Sequence, residues 1–260
     1  HELVNLHPKG LAFNVSDTTS ELHFQLQSKE LLYMRPDGIN FYCNALVTCR
    51  VMADFDSRYV IDSATARIVD QNNEGVDKAL VGKLTFNARS PRTYYLRITV
   101  SDLNKNTSVS LGIPLDKSND LNKQNFIVKN RTNEVPLFNY TAATGQQLTL
   151  QYKAKLAVVI FVRYYHRDFP LAAPPFSAVD DEPFKYKPDS TYALQLGNDG
   201  ALNFVMGRKG FYHFQLDTVI REGFTLFCFP EGYPRVTTAR QMMASLRYLC
   251  TRNEFLSMDT

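Results

Sequence analysis

Tryptophan is missing altogether from this sequence of 260 residues. Sugar-binding surfaces draw on large flat rings, so the absence counts against a carbohydrate-binding module. Long apolar runs are missing too. The longest, Leu156 to Val162, is far short of the ~20 residues a membrane-spanning helix needs. Neither sign of charge dominates: 29 basic residues against 26 acidic leave a net charge of +3. Bulk electrostatics therefore give no case for nucleic-acid binding. Glycine-rich phosphate loops, a Gly-x-Ser-x-Gly elbow and Asp-rich calcium loops do not occur. Helical periodicity is nearly absent before residue 235.

Cysteine is scarce, with four residues at positions 43, 49, 228 and 250. Zinc sites want pairs two to four residues apart, and Cys43 and Cys49 are wider than that with no histidine nearby. On one strand the two sulfurs would lie ~20 Å apart, beyond disulfide reach. Both are expected as buried thiols acting as small apolar residues. Cys228 and Cys250 could pair only if the last helix packed across the last strand.

What the sequence does have is aromatic residues, 18 Phe and 14 Tyr, and strand-like alternation nearly everywhere. Leu22, Phe24 and Leu26 alternate with polar neighbours. A long strand, bulged somewhere, runs from Phe41 to Phe55, and others cover Arg58 to Val69, Leu80 to Phe86, Pro91 to Val100 and Thr107 to Ile113. Residues 114 to 124 are polar and aperiodic, which suits a linker. Beyond it come Leu148 to Tyr152 and the long apolar Lys155 to Tyr165, then a proline-rich connection from Phe169 to Phe176. Asn198-Asp199-Gly200 and Gly207-Arg208-Lys209-Gly210 then punctuate a meander that ends at Phe224 to Phe229. Tyr94 and Tyr212 enter their strands at the same place, as does the tyrosine of immunoglobulin-like sandwiches that returns its hydroxyl to nearby backbone. The expected fold is all-β: two tandem immunoglobulin-like antiparallel sandwiches, residues 1–120 and 121–260, with a short C-terminal α-helix.

That helix is expected from Ala239 to Cys250, capped by Thr237 or Thr238, with Met242, Met243, Leu246 and Leu249 on one apolar stripe. Arg235, Arg240, Arg247 and Arg252 lie between Gly232 and Asn253 with no carboxylate among them. They read either as a solvated face or as a surface that meets acidic groups.

The segment Phe229-Pro230-Glu231-Gly232-Tyr233-Pro234-Arg235-Val236-Thr237-Thr238, followed by Leu246-Arg247-Tyr248, resembles the stretch preceding the signature domain of bacterial GWxTD-domain proteins. Tyr94 to Asn104 is similar to their first β domain, and Tyr165-His166-Arg167-Asp168-Phe169-Pro170 to their second. Without tryptophan the Gly-Trp-x-Thr-Asp motif cannot be present. The expectation is therefore an N-terminal region that stops at Thr260 before the signature domain. The resemblance implies a cell-envelope protein of the Bacteroidetes kind, in the periplasm or on the outer membrane. The sequence begins at His1, so a removed leader, with lipid anchoring through it, is expected as well. Asp-Ser/Thr triplets at Thr18, Ser63, Ser190 and Thr218 resemble the O-glycosylation acceptors of such proteins, a pattern short enough to arise by chance.

No catalytic constellation, metal site or cofactor is expected. His166 and Asp168 would share a strand face, but no nucleophile accompanies them. The expected function is a non-catalytic spacer or protein-binding scaffold. Its interaction surface would be Tyr165, His166 and Phe211 together with the four C-terminal arginines. Its partner would be another protein or the missing C-terminal domain. The alternatives are a carbohydrate-binding module, with Tyr95, Phe161, Tyr165 and Phe211 on the less-buried strand face, and an accessory domain of an envelope enzyme.

Overall fold

A computed structural model of the chain describes residues 6–153, 157–166 and 187–229. These residues are all-β. The first half holds β1 (Lys9–Asn14), β2 (Thr19–Gln27), β3 (Tyr42–Met52), β4 (Val60–Gln71), β5 (Ala79–Asn87), β6 (Thr93–Asp102) and β7 (Thr107–Asp116). The second holds β8 (Phe126–Asn130), β9 (Thr141–Ala143), β10 (Gln147–Tyr152), β11 (Val159–Tyr165), β12 (Ser190–Gln195), β13 (Ala201–Val205), β14 (Gly210–Gln215) and β15 (Phe224–Phe229).

Four sheets form, two in each half. The strand orders are β1-β2-β5 and β4-β3-β6-β7, then β13-β10-β8 and β12-β11-β14-β15-β9. All pairs are antiparallel except β15 with β9, which run parallel. Period-two patterning builds the cores. In β3 the inward set is Cys43, Ala45, Val47, Cys49 and Val51, all fully buried. With Leu96, Ile98 and Val100 of β6 they meet Leu22, Phe24, Leu26, Leu84 and Phe86 from the other sheet in one cluster. The bulge expected in the long strand lies between Val51 and Met52. The second cluster joins Leu148 and Leu150 to Ile160, Val162, Tyr164, Phe214 and Leu226. Phe214 and Phe224 stack at 4.8 Å at its centre. Truncating a fully buried leucine such as Leu96 or Leu150 to alanine costs about 2–5 kcal/mol.

Both tyrosines anticipated at strand entries return their hydroxyls to backbone. Tyr94 Oη donates to the Arg89 carbonyl and accepts from the Arg89 amide, both at 2.9 Å. Tyr212 Oη donates to the Arg208 carbonyl at 2.8 Å. The thiols also lie as expected: Cys43 and Cys49 are buried and free, and burial pushes the Cys49 thiol up to about 12. Cys228 is buried and free, with the Thr144 hydroxyl 3.7 Å from its sulfur. Cys250 and the expected C-terminal helix lie outside the described residues.

Two expectations about connections are corrected. The turn at Asn198-Asp199-Gly200 is real, closed by Gly197 N to Ala201 O at 2.9 Å, with Gly200 at φ 73°. It does not fold a hairpin, however. β12 pairs with β11, while β13 crosses to the other sheet and pairs with β10. Leu196, just after β12 at the turn, and Met206, just after β13, are both buried in the shared core, to which the two strands contribute from opposite sheets. For the same reason β13 and β14 are not neighbours, so the run from residue 190 to 229 is not a meander.

Residues 114 to 124 also behave differently from a loose linker. They begin as the end of β7 and continue into a dense hydrogen-bonded joint between the halves. Asn14 Nδ2 donates to Asp116 O at 2.8 Å and to Asn125 Oδ1 at 3.0 Å. Gln124 donates to the Pro114 carbonyl and accepts from the Asp116 amide. Beside this network Leu11, Phe13 and Ile127 are buried together, with Val15, Phe138 and Tyr140 packed around them. The polarity of the segment serves internal hydrogen bonding, not solvation.

Candidate interaction surface

Of the expected interaction residues, the structure places Tyr165, His166 and Phe211; Arg235, Arg240, Arg247 and Arg252 lie outside the described residues. Tyr165 closes β11 and Phe211 is the second residue of β14, and they are direct cross-strand partners. Phe211 pairs in turn with Phe227 of β15, ring to ring edge-on at 5.1 Å. A row of three half-buried aromatics thus crosses the outer face of the five-stranded sheet. It arises from parity: Tyr164, Tyr212 and Leu226 face the core, so their odd-numbered neighbours face away. His166 is exposed, and its amide donates to Asp189 Oδ2 at 2.7 Å.

One row further along, Arg163 pairs with His213 and His213 with Thr225. Arg163 Nη2 donates to the Thr218 carbonyl at 2.7 Å. His213 Nε2 lies 3.0 Å from the Arg221 carbonyl and Nδ1 3.0 Å from the Thr225 hydroxyl. A carbonyl only accepts, so Nε2 carries the proton and Nδ1 accepts from Thr225. Burial holds this imidazole below its ordinary value, in keeping with a neutral ring fixed between two partners. It is a structural histidine rather than a base facing a nucleophile.

The sequence reading missed a second cluster, at the joint. Lys117 is only 3% exposed, and its Nζ donates to Ser16 O at 2.7 Å, Thr19 O at 3.3 Å and Ser20 Oγ at 3.1 Å. Burial, with the nearby Lys153 charge, pushes it down to about 8. Lys153, from the second half, bridges Asp17 of the first half and Asp120 of the connecting segment. A lone lysine in a polar run gave no signal of this burial. Among the described residues, no group of three or more His, Cys, Asp or Glu side chains could hold a metal ion. No helix there is long and apolar enough to cross a membrane.

Comparison with known families bears on the C-terminal part. Residues 210–260 match the GWxTD domain. The expectation that the signature domain is absent from this chain is therefore corrected. Lack of tryptophan removes one position of the five-residue motif, but the domain is recognised over a much longer segment. That segment opens at Gly210, the first residue of β14, and so takes in β14 and β15 as well as the stretch read above as merely preceding the domain. Curated proteins give no match to the chain.

Proposed function

We propose that the chain is a non-catalytic scaffold of a bacterial cell-envelope protein, built from two tandem immunoglobulin-like sandwiches that act as a spacer and protein-binding module. Several observations support the sandwich reading. Each half divides its strands between two sheets around one core, three with four and three with five. In both halves the second strand pairs with the first, while the third and sixth sit together in the opposite sheet, once β9 is counted as a detached part of the first strand. The hydroxyl returns of Tyr94 and Tyr212 fall at equivalent places. The envelope setting, extracytoplasmic and lipid-anchored, rests on the likeness of residues 210–260 to the GWxTD domain.

The observation that carries the spacer reading is the joint. A spacer must hold its ends at a fixed separation, and a flexible linker would not. Here an apolar contact, the Asn14–Asn125 hydrogen bond and the Lys153 bridge tie the halves together. Spin labels on cysteines introduced at Glu74 and Val205, one in each half, should give a narrow distance distribution that Lys153→Met broadens. A broad distribution in the parent protein would refute the spacer role. Fractionation of cells expressing the full-length product tests the setting, and recovery in the cytoplasm would contradict it.

A further inference from the structure

The outer face of the β4-β3-β6-β7 sheet is unlike an ordinary solvated sheet surface. Register lines its side chains up in rows. Arg50 of β3 stands opposite Ser63 of β4 on one side and Arg97 of β6 on the other. Two residues along, Thr65, Thr48, Thr99 and Ser110 form a row across all four strands. Their hydroxyls pair at 3.3 Å between Thr48 and Thr65 and at 3.2 Å between Thr99 and Ser110. Arg67 sits one row further, opposite Leu46. Arg50, Arg67 and Arg97 take part in none of the ion pairs among the described residues. Arg97 spends one donor on the Phe55 carbonyl at 3.2 Å and Arg67 one on Asn44 at 2.8 Å.

Like charges directly opposite in a sheet are destabilising, so the Arg50–Arg97 pair has no structural justification of its own. The carboxylates that could have neutralised it face elsewhere. Asp62, Asp70 and Asp102 alternate on the inward parity. Asp116, at the end of β7, accepts from the amide and hydroxyl of Ser118. Asp54 and Asp56 lie in the loop after β3, beside Arg58 and off the strands. The strand surface itself carries charge of one sign.

Aromatic groups border it. A Cβ at Gly112 would fall 1.6 Å from Tyr95 Oη, so the Tyr95 ring lies across the sheet over that glycine. Phe55, 65% exposed, meets Tyr95 edge-on at 5.2 Å.

We infer that this face binds an acidic polysaccharide, a glycan bearing carboxylate or sulfate groups. Guanidinium groups recognise such anions in bidentate fashion. The hydroxyl row offers paired donors and acceptors to sugar hydroxyls. Phe55 and Tyr95 supply apolar ring surface at the edge. An acidic peptide is the competing ligand, since its backbone could also bond the hydroxyl row, and it is the control in the test below. The inference goes beyond the spacer reading and stands or falls apart from it.

The test uses the full chain and immobilised polygalacturonate, with neutral dextran and poly-L-glutamate alongside. The chain should bind polygalacturonate in a salt-sensitive way and ignore dextran. R50Q/R67Q should bind about tenfold or more weakly while melting at or above the parent temperature, since both side chains are exposed and the Arg50–Arg97 repulsion is relieved. Phe55→Ala should weaken binding without altering its salt dependence. Undiminished binding by R50Q/R67Q would overturn the site, and poly-L-glutamate binding as tightly as polygalacturonate would overturn the sugar.

Discussion

The hydroxyl of Tyr94 offers a clean perturbation. Tyr94→Phe keeps the ring, which is 6% exposed, and removes only one oxygen. That oxygen both donates to and accepts from Arg89, so two hydrogen bonds are lost together. At ~0.5–1.5 kcal/mol net for each bond, the variant should lose about 1–3 kcal/mol. Tyr212→Phe removes a single bond, to the Arg208 carbonyl, and should lose about 0.5–1.5 kcal/mol. Burial pushes the Tyr212 hydroxyl up to about 12, so it stays protonated and able to donate at any ordinary pH. The chain has no tryptophan to report unfolding, so urea titrations should be followed by far-ultraviolet circular dichroism. With slopes of ~1–3 kcal/mol per molar, Tyr94→Phe should lower its midpoint by roughly 1 M with the slope unchanged. Equal shifts in the two variants, or none in Tyr94→Phe, would refute the two-way lock as a source of stability.

Two charged groups make the fold sensitive to pH in opposite ranges. Glu21 is held by a hydrogen bond from His23, then by Lys83, which brings its carboxyl down to about 2 from an ordinary 4.5. A depressed acid stabilises above its unfolded value and loses that contribution as pH falls. About 3 kcal/mol should therefore disappear between pH 4.5 and 2, and Glu21→Gln should flatten that part of the acid titration. Lys117 is depressed from 10.5 to about 8, so the folded state holds its proton less firmly than the unfolded chain. Stability should rise by about 3 kcal/mol as pH climbs from 8 to 10.5, a rise that Lys117→Met should abolish in melting curves.

Alternation made most of the first half legible. Phe41 to Phe55 and Pro91 to Val100 read as strands because their inward sets are apolar and their outward sets polar, and β3 and β6 occupy those stretches. The short strands β1, β8 and β9 were not read. Leu11-Ala12-Phe13 and Phe126-Ile127-Val128 are buried on both faces, one against its own core and the other against the neighbouring half, so no alternation survives. Turn residues identified the chain reversal near Gly200 but not the partner strands, because β12 pairs with β11 and β13 with β10, contacts that a local turn motif does not encode. The aromatic row was half legible: parity gave Tyr165 and Phe211, but only register adds Phe227. Lys117 was illegible because its three acceptors come from residues about a hundred positions upstream.

The parallel pairing of β15 with β9 ties the last described strand of the second half to one of its first, Phe227 to Thr141. During synthesis the five-stranded sheet cannot close until residue 229 has left the ribosome, so the second half waits for its last described strand while the first can already fold. The segment that matches the GWxTD domain begins inside that sheet, at β14, which lies between β11 and β15. A gene cut at residue 210 would therefore take the middle out of a sheet rather than detach an appended unit. Recombination that passed the GWxTD segment between proteins would have to carry β8 to β13 along with it.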